Sequence, residues 1–139
     1  MRRRTHRLGK ILKLLLDTHT LLWWWGDDKR LSKRAANAIS NEDNQVLVSA
    51  ASAWEIAIKF RLGKLPGADV VIRDFDKLIA ADGFEHLAIT HQHAMVAGGF
   101  DVAHRDPFDR VLAAQSAAED ATLVTNDAAM KLCRVKCYW

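Results

Sequence analysis

The stretch LLLDTHTLLWWW, residues 14–25, decides how this chain folds. Its three leucines predict a short buried strand that ends abruptly at Asp17, and a leucine- and tryptophan-rich helical segment follows almost at once. An isolated ionised carboxylate is costly to bury. Asp17 is therefore expected to cap a helix, pair with a charge or bind a ligand where the strand gives way to the helix.

Strand-like and helix-like segments alternate along the remaining chain. The strand candidates are residues 11–16, 46–49, 86–89 and 121–125, with residues 133–136 as a further edge strand. Helical patterns occupy residues 21–25, 33–40, 52–64, 69–81, 91–98, 106–119 and 126–132, with Ser32 and Thr90 as capping residues. Alternating elements with short connections predict one α/β domain around a mainly parallel central sheet.

Length, composition and charge narrow the class of protein. The 139 residues, half of them hydrophobic, suit a single domain, and no apolar run has the length of a membrane span. The net charge of +3 and the pI near 9.0 come from residues 1–13, which hold six of the 20 basic side chains and no acidic one. The rest carries 14 basic against 17 acidic groups, a net charge of −3. Nucleic-acid binding therefore cannot be argued from the pI.

The N-terminal extension and the cysteines bear on where the protein works. Residues 1–13 are either a basic arm for RNA phosphates, a disordered extension of the domain at 14–139, or the product of an upstream start codon. A secretion signal is rejected, because the apolar run is short, breaks at Asp17 and lacks a small-residue cleavage site. Cys133 and Cys137 are expected to be reduced thiols without a special role. We expect a cytoplasmic protein.

Four carboxylates occupy similar positions relative to the predicted elements. Asp17 ends the first strand, and Asp127 follows the 121–125 strand. Glu55 is predicted in the first turn of the helix after the second strand, and Asp109 in the first turn of the 106–119 helix. The carboxyl ends of parallel strands and the N-termini of the following helices share one edge of the sheet, where ligands bind in open α/β folds. The four acids are therefore expected to meet at this edge.

Each of these acids also has a structural explanation. Asp17 and Asp127 fit helix N-caps, and Ser52 with Glu55 fits a capping box. Asp106 fits an N-cap with Asp109 in the first turn, where the helix dipole favours an acid. Four carboxylates at one edge would nevertheless repel one another unless cations held them, and oxygen ligands in that number suit Mg²⁺ or Mn²⁺. The pair of histidines at 91 and 93 is a weak zinc signal, since alternate helix residues do not face one another.

The blocks that carry these acids resemble a known family. LLLDTHTLLWW, SAASAWEIAIK, RDPFDRVLAAQS and LVTND, in this order and spacing, are similar to the PIN-domain ribonucleases of the VapC toxin family. The resemblance covers residues 14–135 and implies a PIN-like fold with three α/β/α layers. It also implies that the four acids bind divalent metal, and it matches the family's hydroxyl residue before the last acid with Thr125. The basic extension departs from the pattern, since such toxins commonly start almost directly at the first strand.

The resemblance implies a reaction and partners. One or two Mg²⁺ or Mn²⁺ ions held by Asp17, Asp109, Glu55 and Asp127 would activate water for in-line attack on an RNA phosphodiester, leaving 5′-phosphate and 3′-hydroxyl ends. Asp106 is a candidate for indirect support of the site, and Arg110 and Lys59 are candidates for phosphate contacts. The implied partners are an RNA substrate of the tRNA or ribosomal RNA class, a cognate VapB-type antitoxin and a second copy of the chain; no membrane is implied.

The second half of the opening stretch is a helical segment rich in tryptophan. On a helix, Leu21, Leu22, Trp24 and Trp25 share one broad face that packs into the core, while Trp23 points away. An exposed Trp more often marks a protein interface than a base-stacking platform, so Trp23 is assigned to a dimer or antitoxin contact. Trp54, beside Glu55, is expected in the core.

Two other classes of protein compete with the nuclease. A haloacid-dehalogenase-type phosphatase also begins with a strand-end Asp but requires a second Asp two residues later, where this chain has His19. A non-catalytic interaction module of PIN-like fold, whose acids merely cap helices, is the second alternative. Metal dependence of binding and cleavage separates this module from the nuclease.

Overall fold

A computed structural model of the chain, which describes residues 11–101 and 106–139, has a five-stranded sheet at its centre. The strands are β1 (Lys13–Leu16), β2 (Gln45–Ser49), β3 (Glu85–Leu87), β4 (Thr122–Val124) and β5 (Cys137–Tyr138). They lie in the order β3-β2-β1-β4-β5, and all four pairings are parallel. The predicted parallel α/β sheet is confirmed, and the carboxyl ends of its strands share one edge.

The three leucines of the opening stretch divide the core between the two faces of the sheet. Leu14 and Leu16 pack in one cluster with Leu21 and Ile56, whereas Leu15 packs in a second cluster with Leu112 and Met130 among others. Successive residues of a strand point to opposite faces, so a fully buried β1 requires helices on both sides. The three-layer α/β/α arrangement follows from this burial and is confirmed.

Helices cover both faces. They are α1 (Thr18–Trp25), α2 (Lys33–Ser40), α3 (Ala50–Arg61), α4 (Asp69–Ala81), α5 (His91–Gly99), α6 (Pro107–Ala118) and a 3-10 helix at Ala128–Cys133. The predicted caps are confirmed at Ser32, Thr90 and Asp106, whose side chains accept backbone N–H groups of the first turn. Within the described ranges, no helix is long and apolar enough to cross a membrane.

Several predicted boundaries are wrong. The first strand starts at Lys13 rather than at residue 11, and α1 starts at Thr18, three residues earlier than predicted, because Asp17 caps it. The third strand covers Glu85–Leu87 rather than 86–89. The predicted edge strand at 133–136 is displaced to Cys137–Tyr138, because Cys133 still belongs to the 3-10 helix and Arg134 takes a left-handed conformation with φ of 56°. The first ten residues of the basic extension lie outside the described residues.

Candidate active site

Asp17 is the centre of the candidate site. It is 7% exposed, and its Oδ1 accepts the N–H of Thr20 at 2.7 Å, which caps α1. Its own N–H donates to the carbonyl of Val124 at 3.2 Å, so β1 and β4 end side by side. The capping role is confirmed, but it engages one carboxylate oxygen. Oδ2 makes no hydrogen bond within the described residues and is available to a ligand.

Glu55 reaches the same edge from α3. The Thr18 hydroxyl donates to the Ser52 hydroxyl at 3.0 Å, which ties the first turn of α1 to α3 one turn before Glu55. The predicted capping box of Ser52 and Glu55 is wrong, because α3 begins earlier, with Ser49 as its N-cap. Glu55 therefore lies in the second turn, not the first. This bridge was not identified from the sequence, because Thr18 and Ser52 are 34 residues apart.

The carboxylate of Glu55 is buried and incompletely satisfied. The side chain is 3% exposed. Its Oε2 accepts a hydrogen bond from Lys59 Nζ and forms an ion pair with it. Its Oε1 is buried and has no hydrogen-bond partner among the residues that the structure describes. An orphaned carboxylate oxygen costs free energy unless a water or cation reaches it. Glu55 is thus suited to accept a hydrogen bond or bind a cation.

The end of β4 brings Thr125 and Asp127 to the edge. Thr125 is 4% exposed, and its hydroxyl accepts the N–H of Asp127 at 3.0 Å. Asp127 is exposed and caps the 3-10 helix through the N–H of Ala129 at 2.9 Å. Thr20 also donates to the Val124 carbonyl at 2.8 Å. Thr125 therefore orients the turn that carries Asp127, as a supporting residue would.

Asp109 lies in the first turn of α6, which Asp106 fixes. Asp106 Oδ1 accepts the N–H of Phe108 at 2.9 Å and that of Asp109 at 3.1 Å. Asp106 thus supports Asp109 through the backbone. The helix α6 packs against the 3-10 helix, in which Cys133 is buried.

Carboxylates of the candidate site contribute to the pKa shifts of the two thiols. Burial raises the pKa of Cys133, with the Asp109 carboxylate adding to the effect and Arg110 opposing it. Burial likewise raises the pKa of Cys137, opposed by Lys131 and reinforced by Asp17 and Cys133.

The donors fit a hard cation, although they are not drawn into a closed cluster. In the part of the chain that the structure describes, no three Asp, Glu, His or Cys side chains are gathered at metal-binding distance. The edge offers carboxylate oxygens, among them the unpartnered Oε1 of buried Glu55, and these are the ligands that Mg²⁺ and Mn²⁺ prefer. His91 is exposed, while His93 is buried and accepts the N–H of Thr90 at 3.1 Å, so the zinc signal has no structural support.

The two basic residues predicted to contact phosphate already have protein partners. Arg110 Nε donates to the Ala97 carbonyl at 2.8 Å and its Nη2 to the Phe100 carbonyl at 2.7 Å, which joins α6 to the end of α5. Lys59 pairs with Glu55. A phosphate contact by either residue stays a prediction, and it would compete with these bonds.

The exposure of two tryptophans, Trp54 and Trp23, differs from the prediction. Trp54 is 59% exposed and meets Phe108 edge-on at 5.1 Å, so the prediction that it lies in the core is wrong. Its place on α3 follows from Glu55 and Ile56, whose burial turns the preceding residue outward. Trp23 is half-buried rather than exposed, because Trp139 packs against it at 5.8 Å; its interface role stays a prediction.

Comparison with known proteins identifies the family. The family model described as PIN domain matches residues 14–136. This chain belongs to the PIN domain family. Its relatives make it a PIN domain of the VapC type. Ribonuclease VapC22 of Mycobacterium tuberculosis is 30% identical over 82% of this chain and 86% of its own length. Ribonuclease VapC16 of the same organism is 38% identical over 46% of this chain, and the match spans about half (48%) of that relative.

Solved structures agree on the fold. VapBC2 from Rickettsia felis, bound to a DNA fragment from its promoter, matches the PIN domain with a TM-score of 0.65 at 16% identity, over 91% of this chain and 98% of that one. FitAcB from Neisseria gonorrhoeae matches with a TM-score of 0.65 at 16% identity, over 91% of this chain and 96% of its own. At this identity the likeness concerns the fold alone.

Proposed function

We propose that this protein is the toxin of a toxin–antitoxin pair and acts as a divalent-metal-dependent endoribonuclease. The observation that carries the proposal is the buried Glu55, at the edge where Asp17 ends β1. Within residues 11–101 and 106–139 its Oε1 has no hydrogen-bond partner. Ser49, not Glu55, caps α3, so helix capping does not explain this burial. The relatives named ribonucleases support the reaction type, and the VapBC2 complex supports an antitoxin partner.

Asp17, Glu55, Asp109 and Asp127 would hold the cation, which is Mg²⁺ or Mn²⁺ in this proposal, one or two per site. When bound, such an ion supplies positive charge to the scissile phosphate and makes water more acidic. The residues supply the rest. Among the described residues, Asp17 Oδ2 and Glu55 Oε1 are the oxygens of these two side chains that are free to face the cation, and Thr125 fixes the turn of Asp127.

The products follow from the choice of nucleophile. Water attacks phosphorus and gives up a proton to a carboxylate oxygen of the site that does not bind the cation. The bond from phosphorus to the 3′ oxygen breaks, and that oxygen takes a proton from solvent. The RNA 2′-hydroxyl takes no part, so the ends are a 5′-phosphate and a 3′-hydroxyl. A substrate of the tRNA or ribosomal RNA class is proposed, since folded shape and exposed loops are what such proteins read in RNA.

The proposed partners are a VapB-type antitoxin and a second copy of the chain, and the proposed location is the cytoplasm. Trp23 is assigned to one of these protein interfaces. Its half-burial leaves part of the indole for a partner, while Arg30 covers the ring at 5.1 Å.

An interaction module without catalysis is the second candidate, and one observation favours it. Asp17, Asp106 and Asp127 each cap a helix, so each has a structural role without metal. The two candidates differ in whether they explain Glu55. A nuclease uses its buried carboxylate, whereas an interaction module has no use for a buried carboxylate with an unpartnered oxygen.

The test is cleavage of total cellular RNA by the purified chain, free of antitoxin, with Mg²⁺ or Mn²⁺ and with EDTA. We expect discrete fragments that EDTA abolishes and whose ends accept ligation as 5′-phosphates and 3′-hydroxyls. Glu55→Gln is the matched variant, because it keeps the shape and removes the charge. Intact RNA in every condition, with no change of melting temperature on adding metal, would establish the interaction module instead.

A further inference from the structure

A cavity of about 390 Å³ adjoins the candidate active site on the side of β5. Thr125 and Asp127 belong to its lining, so it opens directly from the edge where β4 ends. Ligand pockets in proteins start at roughly 300 Å³, so this volume admits a small organic group. The side chains that line it include Arg34, Thr125, Asp127, Lys131, Tyr138 and Trp139.

Two cations of the cavity are not committed to acidic side chains. Arg34 and Lys131 are both exposed, and within residues 11–101 and 106–139 neither forms an ion pair with an Asp or Glu side chain. Lys59, by contrast, pairs with Glu55. Exposed cations that are not paired with an Asp or Glu side chain are suited to RNA phosphates.

Arg34 also presents a flat surface. Its guanidinium lies over the ring of Tyr138, 4.2 Å from the centroid, and its Nη1 donates to the Trp139 main-chain oxygen at 3.5 Å. Tyr138 is itself placed by β5, since its carbonyl accepts the N–H of Thr125 at 3.2 Å. The guanidinium is thus held over the Tyr138 ring by two contacts, the cation–π contact and the hydrogen bond to Trp139. Proteins stack unpaired RNA bases on such planes.

We propose that this cavity holds one nucleotide of the single-stranded RNA segment, adjacent to the phosphate that is cut. The base stacks on the outer face of Arg34, which Tyr138 supports from below, and Lys131 contacts the phosphate. The inference rests on the proposed nuclease function. It adds the path of the RNA strand, which runs along the sheet edge toward β5. A free nucleotide also has a base that can stack and a phosphate that can bind a cation. The test therefore distinguishes free nucleotides from an RNA strand.

The experiment measures binding of a fluorescein-labelled oligouridylate of ten nucleotides by anisotropy in EDTA, where cleavage is suppressed. We expect Arg34→Ala to weaken binding about tenfold and Arg34→Lys to restore only part of it, since Lys keeps the charge without the plane. Lys131→Ala should weaken binding a few-fold and reduce the slope of affinity against salt by about one. Unlabelled uridine monophosphate should compete far more weakly than the unlabelled strand.

Lys77→Ala is the matched control. Lys77 is an exposed cation on α4, which packs beside β3 at the opposite end of the sheet from β5. We expect its binding to stay within about twofold of wild type, since one remote charge contributes little. Equal affinities of Arg34→Ala and Lys77→Ala, or no binding by wild type, would overturn the proposal.

Cleavage by the same variants separates the two proposals. If wild type binds the strand through Arg34 but never cuts RNA, the nuclease function fails and the nucleotide site stands. If wild type cuts and Arg34→Ala cuts with the same KM as Lys77→Ala, the nuclease stands and the site fails. Equal melting temperatures of the Arg34 variants and wild type show that the fold is retained.

Discussion

At the scale of single residues, the ion pair of Lys59 and Glu55 is the feature that links stability to the site. Lys59 forms an ion pair with the carboxylate of Glu55, whose side chain is 3% exposed. Removing one member of a buried pair leaves an uncompensated charge, but the Lys59 side chain is one-third exposed and water screens part of the effect. The pair therefore stabilises the fold only modestly and holds Glu55 in place.

We expect Lys59→Met to lower the free energy of unfolding by about 1–2 kcal/mol in EDTA. Mg²⁺ should then restore more of the melting temperature in this variant than in wild type, because the cation takes over the charge of Lys59. Differential scanning fluorimetry with and without Mg²⁺ measures both effects. Lys64→Met, an exposed cation of the following turn, is the control. An equal response to Mg²⁺ in all three proteins would contradict Glu55 as a cation ligand.

The two thiols yield a pH-dependent prediction. Burial raises the pKa of Cys133 and of Cys137, so the folded protein holds these protons more tightly than the unfolded chain. Their contribution to stability is complete below the unfolded thiol pKa and declines as pH rises above it. Alkylation of the buried Cys133 by iodoacetamide at about pH 8 should be at least about tenfold slower in the native protein than in urea. Equal alkylation rates of Cys133 in both states would show that its thiol is not buried.

At the scale of elements, α6 depends on its N-cap, and the site depends on α6. We expect Asp106→Ala to cost about 1 kcal/mol of folding free energy and to lower RNA cleavage, because it loosens the turn that carries Asp109. Asp106→Asn keeps the cap and should retain most of the folding free energy and most of the RNA cleavage. Thr90→Ala removes the equivalent cap from α5 and should lower stability alone. Urea unfolding and initial cleavage rates provide the readouts, and a cleavage loss shared by Thr90→Ala would refute this link.

Elements were predictable where local chemistry decides them. The caps of α2, α5 and α6 follow from single side chains, and α4 has the predicted bounds because its apolar residues recur at helical spacing. The strand at the end of the chain was displaced, because the left-handed Arg134 and the length of the 3-10 helix depend on packing against α6. Local sequence carries no signal for such a contact.

The candidate site was predictable to a similar depth. The positions of Asp17, Glu55, Asp109 and Asp127 along the chain imply one edge of the sheet, because parallel strands fix that edge. The bridge between Thr18 and Ser52 and the cavity beside Arg34 join residues far apart in sequence, so no spacing revealed them. Trp54 was misassigned because apolarity was taken as burial, whereas its helix turns Glu55 inward instead.

At the scale of the whole molecule, stability rests on β1 being buried on both faces. We expect Leu15→Ala to lower the free energy of unfolding by about 3 kcal/mol, because its cavity opens in the layer beneath α6 and the 3-10 helix. Leu132→Ala, at a position 53% exposed, should cost less than about 1 kcal/mol. Urea denaturation followed by tryptophan fluorescence compares the two, and similar losses would contradict the layered core.

The central claim is that the carboxylate of Asp17 serves catalysis and not merely the cap of α1. Asp17→Asn separates these roles, because Asn caps helices about as well as Asp but lacks the charge, while Asp17→Ala removes both. The measurement is RNA cleavage with Mg²⁺ beside the melting temperature of each variant. We predict that both variants lose cleavage by at least about a hundredfold, with only Asp17→Ala losing about 1 kcal/mol of stability. Cleavage by Asp17→Asn at the wild-type rate would contradict the account.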